Sequence, residues 1–223
     1  MAESNEFFRE VDEEYRRDRI MQIWTRYNGV IIAALVLLIA AVGGWRYWQH
    51  AERSRAEAAG SRYEDAVGLA REGKTDEAEK ALDAVAKDAP GGYRLLARFR
   101  LAAELGKQKP DEGAKAYDAL ASDAAVNGVW QDLARLRAAL LRFDTAETST
   151  IRPALERLAA PTNPWRHTAR EMLGLSGLKA GDYEFAGRWF DQIAADRDTP
   201  PGLRSRLELY TALVAAGPVQ TTQ

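Results

Sequence analysis

From Tyr27 to Trp45 the chain runs for 19 residues without a charged side chain, and Val30 to Val42 (VIIAALVLLIAAV) is apolar at every position rather than along one face. A helix of that length spans about 28 Å, close to the ~30 Å hydrocarbon thickness of a bilayer. Helices of water-soluble domains keep a polar side, and this stretch has none. We read residues 27–48 as a transmembrane helix, preceded by a leader over 1–26. Its flanks fit that reading, because tryptophan and tyrosine place an apolar body among acyl chains and a polar tip among headgroups. Trp24 and Tyr27 would form one interfacial belt, and Trp45, Tyr47 and Trp48 the other. Arg26 and Arg46 can lay their stems along apolar surface while their guanidinium groups stay wet.

Two other readings of the run compete with this one. A buried helix of a soluble core would need aromatic packing at its end and seldom lacks a polar face at this length. A cleavable signal peptide has a tolerable small-residue site at Ala41, Val42 and Gly43, but the 26-residue leader carries seven acids, unlike a short positive n-region. An uncleaved anchor is therefore expected, with the lipid bilayer as its surroundings. Orientation does not follow from charge: five arginines precede the run within 20 residues and four follow it. In the leader, Phe7, Phe8, Val11 and Tyr15 recur at three and four spacing, an amphipathic pattern able to lie on a membrane surface or dock on a partner.

Composition narrows the function classes. With 31 basic and 33 acidic residues the formal net charge is -2, so no basic surplus points to nucleic acid. The absence of cysteine excludes disulfides, thiolate metal sites and a cysteine nucleophile.

Beyond the anchor the chain repeats itself. GKTDEAEKALDAVA (73–86) superposes on QKPDEGAKAYDALA (108–121) at a shift of 35, with eight of fourteen positions identical. A period near 34 residues is the mark of stacked helix-turn-helix units. PALERLAA (153–160) and GDYEFAGRWFDQIA (181–194) continue the series, giving four units over 56–198. In the last, Leu173, Gly174, Gly181, Tyr183, Ala186 and Phe190 stand where tetratricopeptide repeats carry their L-G, G, Y, A and F. Gly174 and Ala186 are expected to let the two helices of a hairpin approach, Phe190 to fill space between neighbouring hairpins, and Gly181 to end the first helix in a left-handed conformation. Ala78, Leu82 and Tyr117 hold the corresponding packing positions in earlier units. Pro110 suits the first position of a second helix, and Pro90 closes the first unit. Pro153 falls where the third unit's second helix should already run, so that helix is expected to start late, after the polar loop TAETST (145–150). Residues 201–216 have the apolar spacing of a capping helix, and 217–223 read as a mobile tail. The fold expected is all-α: one transmembrane helix, then a tetratricopeptide-like α-solenoid of about four hairpins over 49–216 with a C-terminal capping helix.

An anchor ending in GWRYW (44–48), running into a charged helix with SRYEDAV (61–67), followed by alanine-rich repeats, resembles the YfgM-type ancillary subunits of the SecYEG translocon. The resemblance implies a single-pass protein of the bacterial inner membrane, N-terminus in the cytoplasm and repeats in the periplasm. It implies as partners the SecYEG translocon and a membrane-anchored periplasmic chaperone of the prolyl-isomerase type. The leader FFREVDEEYRRDR (7–19) has no place in that resemblance. A scaffold of another envelope machine, for wall synthesis or division, would use the same parts.

Such a protein works by recognition, its concave wall built from the first helices of the hairpins. Tyr63, Arg94, Arg98, Arg135, Phe143, Glu171, Leu175 and Lys179 are the candidates for that wall. No catalytic constellation was found, and neither an enzyme activity nor a cofactor is expected. His167 and Glu171 lie four apart on one helix face, but two ligands without a third make a weak metal site. GLSGL (174–178) misses the nucleophile-elbow pattern at Leu178, and no strand precedes it.

Overall fold

The computed structural model describes the backbone of residues 3–218 and the side chains of Met21 and of residues 24–218. The leader pattern on Phe7, Phe8, Val11 and Tyr15 lies outside the described side chains, as does most of the 217–223 tail. Among the described residues the structure is all-helical, with nine helices and no strand: α1 (Glu3–Arg71), α2 (Thr75–Asp88), α3 (Gly91–Gln108), α4 (Pro110–Ser122), α5 (Gly128–Arg142), α6 (Thr148–Leu158), α7 (Arg166–Lys179), α8 (Tyr183–Ala195) and α9 (Pro201–Ala216). The chain divides into two units, Met1–Glu57 and Ala58–Gln223, with the boundary inside α1.

In the first unit the apolar run is one uninterrupted helix, and none of its membrane-length window is buried. Leu37 is 71% exposed and Ile39 70%, values no water-facing leucine or isoleucine stripe sustains over a whole helix circumference. Among the described residues the run is not packed as a core helix. The segment is a candidate membrane span by length and composition. Trp24, Tyr27, Trp45, Tyr47 and Trp48 are all exposed at its two ends, Trp45 and Trp48 with ring centroids 5.6 Å apart. The Arg26 guanidinium lies 6.0 Å from the Tyr27 ring, and Arg46 is exposed.

The second unit is a series of antiparallel hairpins in which each helix from α2 to α9 packs against its sequence neighbours, and Ala59 of α1 clusters with Val85 and Ala89 at α2. The end of α1 from Ala58 onward, α3, α5 and α7 are the first (A) helices, and α2, α4, α6 and α8 the second (B) helices; α9 follows as the cap. Ala59, Val85, Ala89 and Ala97 form the core of the first hairpin with the next A helix, and Tyr117, Leu120, Ala134 and Ala138 continue it. Leu136, Ile151, Leu155, Leu158 and Leu173 fill the third, and Phe190, Ile193, Leu203 and Leu207 seal the last under α9.

The turns follow from a few residues. Gly73 and Gly181 sit at φ 79 and 72, the left-handed region glycine alone enters without strain. Each is followed by a residue whose N–H returns to the helix, Lys74 to Leu69 O at 3.0 Å and Asp182 to Gly177 O at 2.9 Å, which closes α1 and α7 with the same motif. Pro110 is the first residue of α4, where its missing N–H costs nothing. Asn127 and Asp182 cap α5 and α8 through their side-chain oxygens, which accept from Val129 N and Phe185 N.

The third unit differs from the sequence reading. Helix α6 starts at Thr148, five residues before Pro153, and the last half of the expected loop TAETST is helical. Proline removes one backbone hydrogen bond, but Ile151, Leu155 and Leu158 bury the same face of α6, and that burial outweighs the loss.

Candidate protein-binding cleft

A cleft of about 260 Å³ opens on the A-helix face of the second unit. Its walls are Tyr63 from the end of α1, Leu96, Phe99, Arg100 and Ala103 from α3, Tyr117 from α4, and Trp130, Leu133 and Arg137 from α5. The α3 residues recur at three and four spacing, so one face of that helix is presented to the opening. Leu96 is 43% exposed and Trp130 40%, apolar surface that the fold leaves in water. The rings are packed in a chain: Phe99 lies 5.8 Å from Tyr117 and 5.7 Å from Trp130, edge-on to the latter. At the floor the Tyr117 hydroxyl donates to Phe99 O at 3.3 Å, and burial pushes its pKa up, so it stays a neutral donor.

Of the eight residues expected to line the wall, Tyr63 alone borders this cleft. Arg94 and Arg98 lie on a different face of α3. Arg94 donates to Ala89 O at 3.1 Å, and Arg98 pairs with Asp123 at 2.6 Å, which holds that carboxyl below its ordinary pKa. A shift of two residues along a helix turns a side chain by about 200°, which is why Leu96, Phe99 and Arg100 face the opening instead. Arg135 donates to Ala121 O at 2.7 Å and pairs with Asp132. Phe143 and Lys179 are brought together, the lysine amine donating to Phe143 O at 2.5 Å and Asp144 O at 3.0 Å, beyond the end of α5. Glu171 is bound by Arg206 and by the Tyr210 hydroxyl of α9, and Leu175 packs on the core beneath α9. These seven side chains tie the hairpins to one another.

A rule missed in the sequence emerges from them. Arg94 on α3, Arg135 on α5, Arg170 on α7 and Arg204 on α9 each donate to a carbonyl at the C-terminal end of the preceding B helix: Ala89, Ala121, Ala159 and the Asp196–Thr199 turn. Helix C-termini carry partial negative charge and unpaired carbonyls, so a cation placed there satisfies both. Four arginines at near-repeat spacing were the available signal. Arg170 also reaches Asp196, whose carboxylate accepts from Arg166 at 2.8 Å and Arg170 at 3.0 Å. The Arg166 hydrogen bond holds the Asp196 carboxyl far below the usual carboxylate range.

Ala78, Leu82, Tyr117, Leu173, Ala186 and Phe190 are buried and Gly181 makes its turn, while Tyr183 is a half-buried first residue of α8. Gly174 makes room for the Phe190 ring, whereas Ala186 approaches Gly177, where an added Cβ would lie 2.9 Å from Ala186 N. Phe190 reaches the following element too, stacked on Tyr210 at 5.1 Å. His167 and Glu171 face different partners: His167 Nδ1 lies 3.4 Å from Thr199 Oγ1, and burial, then Arg166, lowers its pKa. Ser176 is fully buried and donates to Leu173 O, so it is a helix-interior hydroxyl.

Stacked helical hairpins, a 34–35-residue period and an A-helix face with open aromatic surface define a repeat scaffold. Residues 22–192 match the tetratricopeptide repeat-like domain. The chain belongs to that family. No curated protein and no solved structure matches it.

Proposed function

We propose that the chain is a scaffold of the SecYEG translocon, held in the bacterial inner membrane by residues 27–48, with the leader in the cytoplasm and the repeats of 49–216 in the periplasm. It works there by recognition and carries out no reaction. One observation carries the reading: the chain holds both an apolar helix of membrane-spanning length and hairpins whose A-helix cleft exposes aromatic surface. The first needs lipid and the second suits a polypeptide segment, because tetratricopeptide-like repeats use this face for protein contacts. The family match begins at residue 22, ahead of the apolar run, which favours a retained anchor over a cleaved signal. The resemblance of GWRYW and the segment after it to YfgM-type subunits supports the translocon and a prolyl-isomerase-type chaperone as partners. Tethering beside the channel raises the effective concentration of the cleft near emerging chains. Affinity purification of the full chain in mild detergent tests this: SecY is expected to co-elute. Recovery of a wall-synthesis complex without SecY would overturn it.

A further inference from the structure

We infer that the A-helix cleft accepts a polypeptide segment in which aliphatic or aromatic side chains are interspersed with carboxylates. This rests on the reading that the cleft is the protein-binding surface, and adds the chemistry of what it holds. Among the described residues, the charged side chains lining the cleft are Arg100 and Arg137, both cationic. Arg100 Nε lies 2.7 Å from Glu104 Oε1, yet that carboxylate is 2% exposed and already bound by Lys107 at 2.6 Å. Glu104 therefore sits beneath the surface, neutralised from two sides, and offers nothing to a ligand. Neither Arg100 Nε nor Glu104 Oε1 makes an aligned hydrogen bond, so charge alone holds the pair. Arg137 is exposed and has no ion-pair or hydrogen-bond partner among the described residues.

The local sum is three cations, Arg100, Lys107 and Arg137, against one buried anion. An incoming carboxylate gains a forked guanidinium donor beside Trp130 and Leu133. An incoming lysine meets two like charges with no carboxylate to answer it, and this repulsion supplies the discrimination. The apolar walls, Tyr63, Leu96, Phe99 and Trp130, have room for the aliphatic or aromatic neighbours of such a carboxylate. A purely polar acidic segment leaves that surface wet.

The full-length protein in dodecyl maltoside, titrated into three fluorescein-labelled synthetic peptides of equal length, tests the inference by anisotropy. One peptide combines Glu with Leu and Phe, the second replaces Glu with Lys, and the third keeps Glu but replaces Leu and Phe with Ser and Gly. The first is expected to bind about tenfold or more tighter than either other. Arg137→Glu is expected to erase that preference, and Arg137→Lys to retain most of it. Equal binding of the Glu and Lys peptides, unchanged affinity in Arg137→Glu, or failure of all three to bind would overturn the inference. So would a Leu96→benzoylphenylalanine variant whose photoadduct joins two copies of this chain, since the occupant would then be a second copy. The same variant irradiated in membranes separates the two readings. Adducts to the translocon or the chaperone alongside a missing charge preference remove the inference and leave the surface. Absence of any adduct to another polypeptide removes the surface itself.

Discussion

At Gly113 two helix backbones touch. A Cβ there would lie 2.5 Å from Gly106 Cα and 2.8 Å from Ala102 O, and backbone cannot step aside as a side-chain tip can. Gly113→Ala is expected to destabilise the full chain by about 1–3 kcal/mol, the range for an overpacked core. Gly68 is the contrasting case, a helical glycine with nothing within 4 Å of an added Cβ. Gly68→Ala is expected to raise stability by about 0.5–1 kcal/mol through helix propensity. Urea titrations of the two variants in detergent check both signs. Asp196 allows a prediction in pH. Its folded-state pKa is depressed by Arg166, so its contribution is fully present above the unfolded value of about 3.9 and fades as pH falls toward the folded one. The stability deficit of Asp196→Asn should be constant above about pH 5 and shrink below about pH 4 in a pH series of urea midpoints. The small residue at the close approach was legible, since Ala78, Gly113 and Ala186 recur at one register. Its partner Gly106 was not, because nothing at that position repeats, and neither was the pairing of Asp196 with Arg166 and Arg170, whose members come from two elements.

At the scale of the element, the hairpins were readable because glycine and proline punctuate them where backbone sterics require it. Gly181 and Pro110 sit at their expected turns, and Gly73 makes in the first unit the same turn as Gly181. What escaped was rotation about the helix axis. Assigning Arg94 and Arg98 to the wall demanded a register accurate to one residue, and polar residues on a repeat helix give no periodic cue for which polar face is open. Tertiary packing chose Leu96, Phe99 and Arg100 instead. The early start of α6 escaped for another reason: a proline rule is local, while Ile151 and Leu155 are held by α5 and α7. Because Pro153 is exposed and lies inside α6, replacing it removes strain without removing core. Pro153→Ala is expected to stabilise by about 1–3 kcal/mol, the Ser149 carbonyl regaining its donor, as measured by urea unfolding.

For the whole molecule, the second unit is a chain of nearest-neighbour contacts, and damage should stay near where it is made. Leu207→Ala thins the seal that α9 places over Phe190 and Ile193. It should cost about 2–5 kcal/mol locally and speed amide exchange in α7 and α8 while α2 and α3 keep their protection, a pattern that mass-spectrometric hydrogen exchange resolves. Uniform acceleration from α2 to α9 would mean that the hairpins open together. The apolar run and the repeat period were visible in the bare sequence because each extends over many residues, and long patterns survive local exceptions. The arginine rule also acts over the full array, and it gives the array a direction. The closing carbonyls of every B helix are met by an arginine that the ribosome adds later, while the carboxylates of Asp123 and Asp196 at the ends of α4 and α8 pair with Arg98, Arg166 and Arg170 made earlier. Shortening the protein from its C-terminus therefore unlatches the hairpin left at the new end, whereas each hairpin that remains after shortening from the other side keeps its own latch.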